Sequence, residues 1–140
     1  MFLSLLAALL LPTALAACPS SDASLQSTLD SAQLAFSMMD SSGFSTATAE
    51  AEAQAACLSD PVSPTVAARL HRVLGLQAFV AGDEPGARTA FAAARAIEPD
   101  YQFPDSMVPS DHPVRQLYGQ SLNASAASTE LAAPAAGHLP

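Results

Sequence analysis

Two runs of apolar residues at helical spacing, one on each side of Gly82-Asp83, constrain the fold of this chain more than any other feature. Apolar side chains recur every three or four positions in each run, which indicates two amphipathic helices. Asp83 can cap the second helix, and Pro99 ends it. The stripes are Val66, Leu70, Val73, Leu74, Gln77 and Ala78, then Ala87, Ala90, Phe91, Ala94 and Ile97. We therefore expect an antiparallel hairpin in which Gly75 and small alanines let the helices approach closely, with Phe91 filling the remaining space.

This hairpin resembles a tetratricopeptide repeat, over residues 66–101 of the chain. The residues at the spacing of that family are Leu74-Gly75, Ala87, Phe91, Ala94 and Pro99. Two signature positions depart from it, since His71 replaces a large apolar residue and Ala78 stands where an aromatic residue is common. The resemblance implies an all-α fold of antiparallel helical hairpins, about two of them, plus a closing helix.

The flanking sequence predicts the other helices of this fold. A helix over residues 22–40 is followed by a predicted turn at Ser41-Ser42-Gly43, and Ser45 can cap a second helix that runs to about Leu58. The stripe of the first of these helices is Leu25, Leu29, Ala32, Phe36 and Met39. This hairpin is interpreted as a degenerate repeat, because Phe36, Ala49, Ala53, Ala56 and Pro61 match the spacing of Leu74, Ala87, Phe91, Ala94 and Pro99. A closing helix is predicted from Asp111, as its cap, to about Leu122, after a proline-broken segment whose Phe103, Met107 and Val108 can cover the hairpins.

Composition at the two ends predicts segments outside the folded domain. Residues 1–17 form an apolar run that ends in the small-x-small pattern Ala14-Leu15-Ala16, which predicts a signal peptide although no cation precedes it. Residues 18–122 are then the helical domain. Residues 123–140 are rich in Ala, Ser and Pro and predict a disordered tail.

The two cysteines have alternative interpretations. Cys18 and Cys57 fall at the same end of the first predicted hairpin, as a disulfide in an oxidising compartment requires. Leu15-Ala16-Ala17-Cys18 also resembles a lipobox, which would lipidate Cys18, and Cys57 could instead be a small buried hydrophobe. The first two interpretations place the protein outside the cytoplasm, either periplasmic or secreted, or as an outer-membrane lipoprotein.

Charge and residue spacing argue against several function classes. The net charge is −8 and all five cations are arginines, which disfavours binding to nucleic acid. His71, His112 and His138 are scattered over a helix, a loop and the tail, so no metal site is predicted. Glu50 and Glu52 face different sides of a predicted helix and make no carboxylate pair, and the sequence has no glycine-rich phosphate loop. We expect no catalytic residues and no cofactor.

The resemblance implies a peptide-binding surface on the first helix of the hairpin. Its residues would be Arg69, Arg72, Leu76, Phe79 and Val80. The two arginines could hold a carboxylate of a partner, or could be solvated or paired with acids of the chain itself. In the first case, replacing both with alanine should weaken partner capture without lowering the melting temperature.

The expected function is a non-catalytic, exported scaffold or adaptor of the bacterial envelope, resembling tetratricopeptide-repeat proteins, whose partner is another protein or peptide segment. Two alternatives stay open. The chain could be the N-terminal helical module of a larger envelope protein that lacks its β-domain here. It could also be a lipid-anchored assembly factor, which would meet a membrane only through a lipid on Cys18.

Overall fold

The computed structural model describes Cys18 and residues 20–125, with side chains as far as Ser121. Five α-helices and no strand occur in this part of the chain. The helices are α1 (Asp22–Ser37), α2 (Ser41–Ala56), α3 (Pro64–Val80), α4 (Glu84–Ile97) and α5 (Pro113–Ser125). α1 packs on α2 and α3 on α4 as two hairpins, and α5 packs against α4. The prediction of an all-α fold of helical hairpins with a closing helix is therefore confirmed. The predicted signal peptide and residues 126–140 of the predicted tail lie outside the described residues, whereas residues 123–125 of that tail continue α5.

Both hairpins turn with the same local chemistry. The N-cap Asp40 accepts a hydrogen bond from the Gly43 amide at 2.9 Å, and the N-cap Asp83 accepts one from the Gly86 amide at 3.0 Å. A β-carbon on Gly43 would stand 2.3 Å from the Asp40 carboxylate, so glycine makes room for the cap. The prediction that Ser45 caps α2 after a turn at residues 41–43 is wrong, because these residues form the first turn of the helix.

The equivalent turns give a repeat of 43 residues, since Asp40 corresponds to Asp83 and Gly43 to Gly86. Burial agrees with this spacing. The buried equivalent pairs on α2 and α4 are Phe44 and Ala87, Thr48 and Phe91, and Ala51 and Ala94. The alignment predicted from sequence is wrong, because its residues Ala49, Ala53 and Ala56 are exposed. A repeat of this length exceeds the roughly 34 residues of a tetratricopeptide repeat, and the structure does not show one.

The buried face of α3 is wider than its apolar stripe. Val66 and Val73 are buried as predicted, but Leu70, Leu74, Gln77 and Ala78 are only half-buried. The buried residues outside the predicted stripe are Ala68, Arg72, Gly75 and Leu76. α3 contacts both helices of the first hairpin as well as α4, so its environment is apolar on several sides.

The segment between α4 and α5 closes the core. Phe103 and Val108 are buried in it, which confirms the prediction that this segment covers the hairpins. The rings of Phe91, Phe103 and Tyr118 meet edge to face, with centroids 5.0–6.1 Å apart. α5 begins at Pro113, and the Nδ1 atom of His112 accepts a hydrogen bond from the Val114 amide at 3.2 Å. His112, and not the predicted Asp111, therefore serves as the cap.

Gly75→Ala tests the close approach of α3 and α4. A β-carbon at this position would stand 2.3 Å from Cε1 of Phe91, whose ring is fully buried. Overpacking of this kind costs about 1–3 kcal/mol, against a gain of about 1 kcal/mol in helix propensity. We expect denaturant titration to show a lower free energy of unfolding. Gly119→Ala on α5 is the matched control, because nothing lies within 4 Å of its β-carbon, and it should stabilise the fold. Equal stabilisation by both variants would contradict a tight crossing at Gly75.

Candidate interaction surface

Two residues of the predicted peptide-binding surface belong to the core. Arg72 is 2% exposed, and its Nη1 atom lies 2.7 Å from Oε2 of Glu98. Its guanidinium also stacks over the Tyr101 ring, 3.6 Å from the centroid. Leu76 is fully buried. Both were expected on an open surface, but Glu98 and Tyr101, which follow α4, contact Arg72, and Leu76 belongs to the hydrophobic core.

Arg69 remains near the surface but is engaged with α1. Its Nη2 atom contacts the Asp30 carboxylate and lies 2.7 Å from Oε1 of Gln33. This ion pair joins the two hairpins, since Arg69 is on α3 and Asp30 on α1. The structure thus places both arginines in contacts within the chain, which is the alternative that the sequence left open.

Phe79 and Val80, the other two predicted residues, lie together at the end of α3. They form one wall of a pocket of about 390 Å³ between the α1–α2 turn and the segment just before α5. We call it the turn-end pocket, and its large apolar lining residues are Phe36, Met39, Phe44, Phe79, Val80 and Met107. Its volume lies in the range of ligand-binding clefts.

Large apolar side chains stand in solvent around the mouth of this pocket. Met39 is 91% exposed, its neighbour Met38 is 68% exposed, and Val80 is 54% exposed. Single exposed apolar residues are ordinary on protein surfaces, but Met39 and Val80 both line one apolar cavity, and Met38 adjoins Met39 in the chain. Methionine suits such a place, because its flexible thioether adapts to differently shaped partners.

Met39 has an unfavourable backbone conformation. Its φ is +57°, and no other non-glycine residue in the described part of the chain has a positive φ. The equivalent position of the second hairpin is Gly82, with φ +78°, where a left-handed conformation carries no steric cost. A side chain almost wholly in solvent gives the fold little in return for this strain. Strain retained without structural benefit points to a function.

Sequence reasoning missed most of this site. It assigned Met39 to the buried stripe of α1 and did not single out Phe44. A signal was present, because Met38-Met39-Asp40 stands where the second hairpin has Ala81-Gly82-Asp83. A methionine that replaces the glycine just before an Asp N-cap indicates that the methionine side chain projects into solvent.

A second cleft, of about 540 Å³, lies between the end of α4, residues 99–103 and α5. Arg95 borders it and donates to the carbonyl oxygens of Tyr118 and Gly119 at 3.0 and 2.6 Å. Burial raises the pKa of Tyr101 and of Tyr118, although the nearby Arg72 guanidinium opposes this shift. Both phenols are therefore neutral at physiological pH. The cleft offers hydrogen-bonding groups, but Arg95 and Tyr101 are already used within the fold, where both contact α5.

The two cysteines are at disulfide distance. The Cα atoms of Cys18 and Cys57 lie 5.2 Å apart, within the range that a disulfide requires. Ser20 and Leu58 form an isolated parallel bridge beside them, so the chain ahead of α1 runs along the chain after α2. A cysteine pair at this distance fits an oxidising compartment.

Two structural features are absent from the residues that the structure describes. No helix among them is long and apolar enough to cross a membrane. No three histidine, cysteine or carboxylate side chains among them are grouped as metal ligands would be.

Comparison of the chain with protein-family models, with curated proteins and with solved structures gave no significant match. The resemblance to tetratricopeptide repeats stays a prediction from a few residues of one hairpin.

Proposed function

We propose that this chain is a non-catalytic protein-interaction module that acts outside the cytoplasm and binds apolar side chains of a partner in the turn-end pocket. The observation that carries the proposal is Met39, a side chain 91% exposed at the pocket mouth and held there at φ +57°. Removing such a group from water on binding is favourable, by about 25 cal/mol for each Å² of apolar surface.

The chemistry of the pocket supports a binding role in preference to a catalytic one. The two ionisable residues that line it, Asp40 and His112, each cap a helix, through Oδ1 and Nδ1 respectively. The rest of the lining is mainly apolar, with serines at the edge. A partner would thus meet shape and apolar surface in this pocket.

The compartment belongs to the proposal as well. The cysteine pair and the apolar N-terminal run of the sequence favour export, and a scaffold or adaptor of a bacterial envelope fits both features. Anchoring through a lipid on Cys18 remains the alternative. So does membership of a larger envelope protein, in which the turn-end pocket would bind a neighbouring domain.

Met39→Asn separates function from stability. Asparagine tolerates the left-handed conformation better than methionine does, so we expect the melting temperature to stay equal or to rise. Partner capture should fall, because a polar amide replaces the apolar group at the pocket mouth. The measurement is thermal unfolding together with in-cell photo-crosslinking, with the probe residue placed at position 80 both in the otherwise unchanged chain and in the Met39→Asn variant.

A matched control uses the same kind of change at the other end of the molecule. Ile97 is exposed at the last residue of α4, and Ile97→Asn should leave crosslinking from position 80 unchanged. The proposal predicts a discrete protein adduct that Met39→Asn reduces and Ile97→Asn does not. Absence of any adduct, or equal adducts in all three backgrounds, would contradict it.

A further inference from the structure

The arginines of this chain are engaged within the fold. Four of them form ion pairs: Arg69 with Asp30, Arg72 with Glu98, Arg88 with Glu84, and Arg115 with Asp105. Arg95, the fifth, donates to carbonyl oxygens of α5. The four paired side chains are only 2–32% exposed. Since the sequence has no lysine and a net charge of −8, carboxylates dominate the charged surface.

One of these carboxylates lines the turn-end pocket, and two others adjoin its lining residues in the chain. Asp40 lines it, and Asp111 directly precedes His112 on its far side. Both are exposed, and neither forms an ion pair with a described residue. Asp105, beside the lining residue Ser106, is also exposed but is paired with Arg115. The pocket is therefore an apolar cleft with an acidic rim.

From this arrangement we infer that the partner segment is a cationic amphipathic helix, with apolar side chains that enter the turn-end pocket and Lys or Arg beside them that meet the acidic rim. The inference rests on the proposed function of that pocket and adds the chemistry of its ligand. Amphipathic helices are typically bound by apolar grooves whose methionines adapt to the apolar face of the ligand. The acidic surface would speed encounter with a cationic segment and repel an anionic one.

The same charges disfavour the other occupants. A second copy of this chain would bring like charge to like charge at the interface. An anionic bilayer would repel the acidic rim. A partner carboxylate, which the sequence suggested, would find the arginines of α3 already paired.

The test uses two synthetic helical peptides of equal length and identical apolar face, one with lysines and one with glutamates on the polar face. Isothermal titration calorimetry on the purified full chain measures both affinities. We expect the lysine peptide to bind at least about tenfold more tightly at low salt. That preference should shrink towards unity in about 1 M salt, where the Debye length is only about 3 Å. In a third measurement, the same protein is titrated with vesicles of phosphatidylcholine and phosphatidylglycerol to test for binding to a membrane surface.

Two charge variants locate the effect. Asp40→Ser with Asp111→Asn removes two rim charges and keeps a capping side chain at position 40, because serine caps helices about as well as aspartate. Glu50→Gln with Glu52→Gln removes the same charge from an exposed part of α2 that does not line the pocket. The rim variant should lose several-fold more affinity for the lysine peptide than the α2 variant.

The possible outcomes separate the ligand chemistry from the site. Equal or tighter binding of the glutamate peptide, or equal losses in the two charge variants, would overturn the cationic ligand while leaving the pocket as a binding site. Failure of both peptides to bind, or binding that Met39→Asn does not weaken, would overturn the inference and count against the pocket as well. Binding to the vesicles without binding to either peptide would replace the helix by a membrane surface.

Discussion

Arg72→Ala should lower the free energy of unfolding by about 3–5 kcal/mol, because it empties a buried site and also leaves Glu98, which is 27% exposed, without its cation. Arg72 is the largest fully buried side chain in the described part of the chain. Its loss leaves Glu98 unpaired, uncovers the Tyr101 ring and opens a cavity beside α4. The measurement is urea titration, in which the midpoint should fall while the m-value stays unchanged.

Two further variants test the reason for this loss. Arg69→Ala removes an ion pair whose acid, Asp30, is 70% exposed, so it should cost no more than about 1 kcal/mol. The double variant Arg72→Met with Glu98→Gln replaces the ion pair by an apolar side chain and an uncharged polar one. It should recover much of the stability that Arg72→Ala loses. If Arg72→Ala proves as mild as Arg69→Ala, Arg72 is not a core residue. The sequence-based expectation that both arginines can be removed without lowering the melting temperature is accordingly revised.

Cys18→Ser should cost about 4 kcal/mol by removing a cross-link between residues 39 positions apart, according to the chain-entropy model. Cys18 is exposed, so the change leaves no cavity, and the loss reports the cross-link alone. Thermal unfolding of the two proteins, with and without reductant, is the measurement. Reductant should lower the melting temperature of the unchanged chain and have no effect on the variant.

Intact mass gives the independent control. A chain with a disulfide weighs two hydrogens less than its reduced form, whereas a lipid on Cys18 adds a large mass. Suppose that the Cys18→Ser variant is as stable as the unchanged chain, and that the unchanged chain has the mass of its dithiol form. The two thiols are then close but not bonded. A lipid adduct would favour the anchored alternative.

The second hairpin was predictable because local chemistry encodes its ends. Ser63 accepts from the Val66 amide at the start of α3, Asp83 caps α4, and α4 ends at Ile97, two residues before Pro99. Each of these signals lies within a few residues of the boundary that it sets. The first hairpin has Met39 where the second has Gly82, so its turn has no glycine at the left-handed position. Ser41-Ser42-Gly43 has the composition of a turn but belongs to α2, so the sequence pattern places the start of α2 too late.

The surface was harder to predict than the helices, because its exposure is decided by distant parts of the chain. Phe79 and Val80 were predicted as surface residues from the resemblance to the repeat family, and both line the turn-end pocket. Arg72 and Leu76 were predicted in the same way, but Arg72 is covered by Glu98 and Tyr101 and Leu76 lies in the core, and helical periodicity contains no information about such distant contacts. Met107 and Met39 come together only when the segment before α5 reaches the α1–α2 turn, a contact between residues far apart in sequence.

The cysteine pair and the turn-end pocket lie at opposite ends of α1, which is about 24 Å long at 1.5 Å per residue. The first hairpin is thus joined at both ends, by the cysteine pair at one and by the three-residue turn 38–40, which carries the methionines, at the other. Because neither end of the two helices can separate, a ligand of the turn-end pocket would meet Met39 at a position that the hairpin itself holds in place.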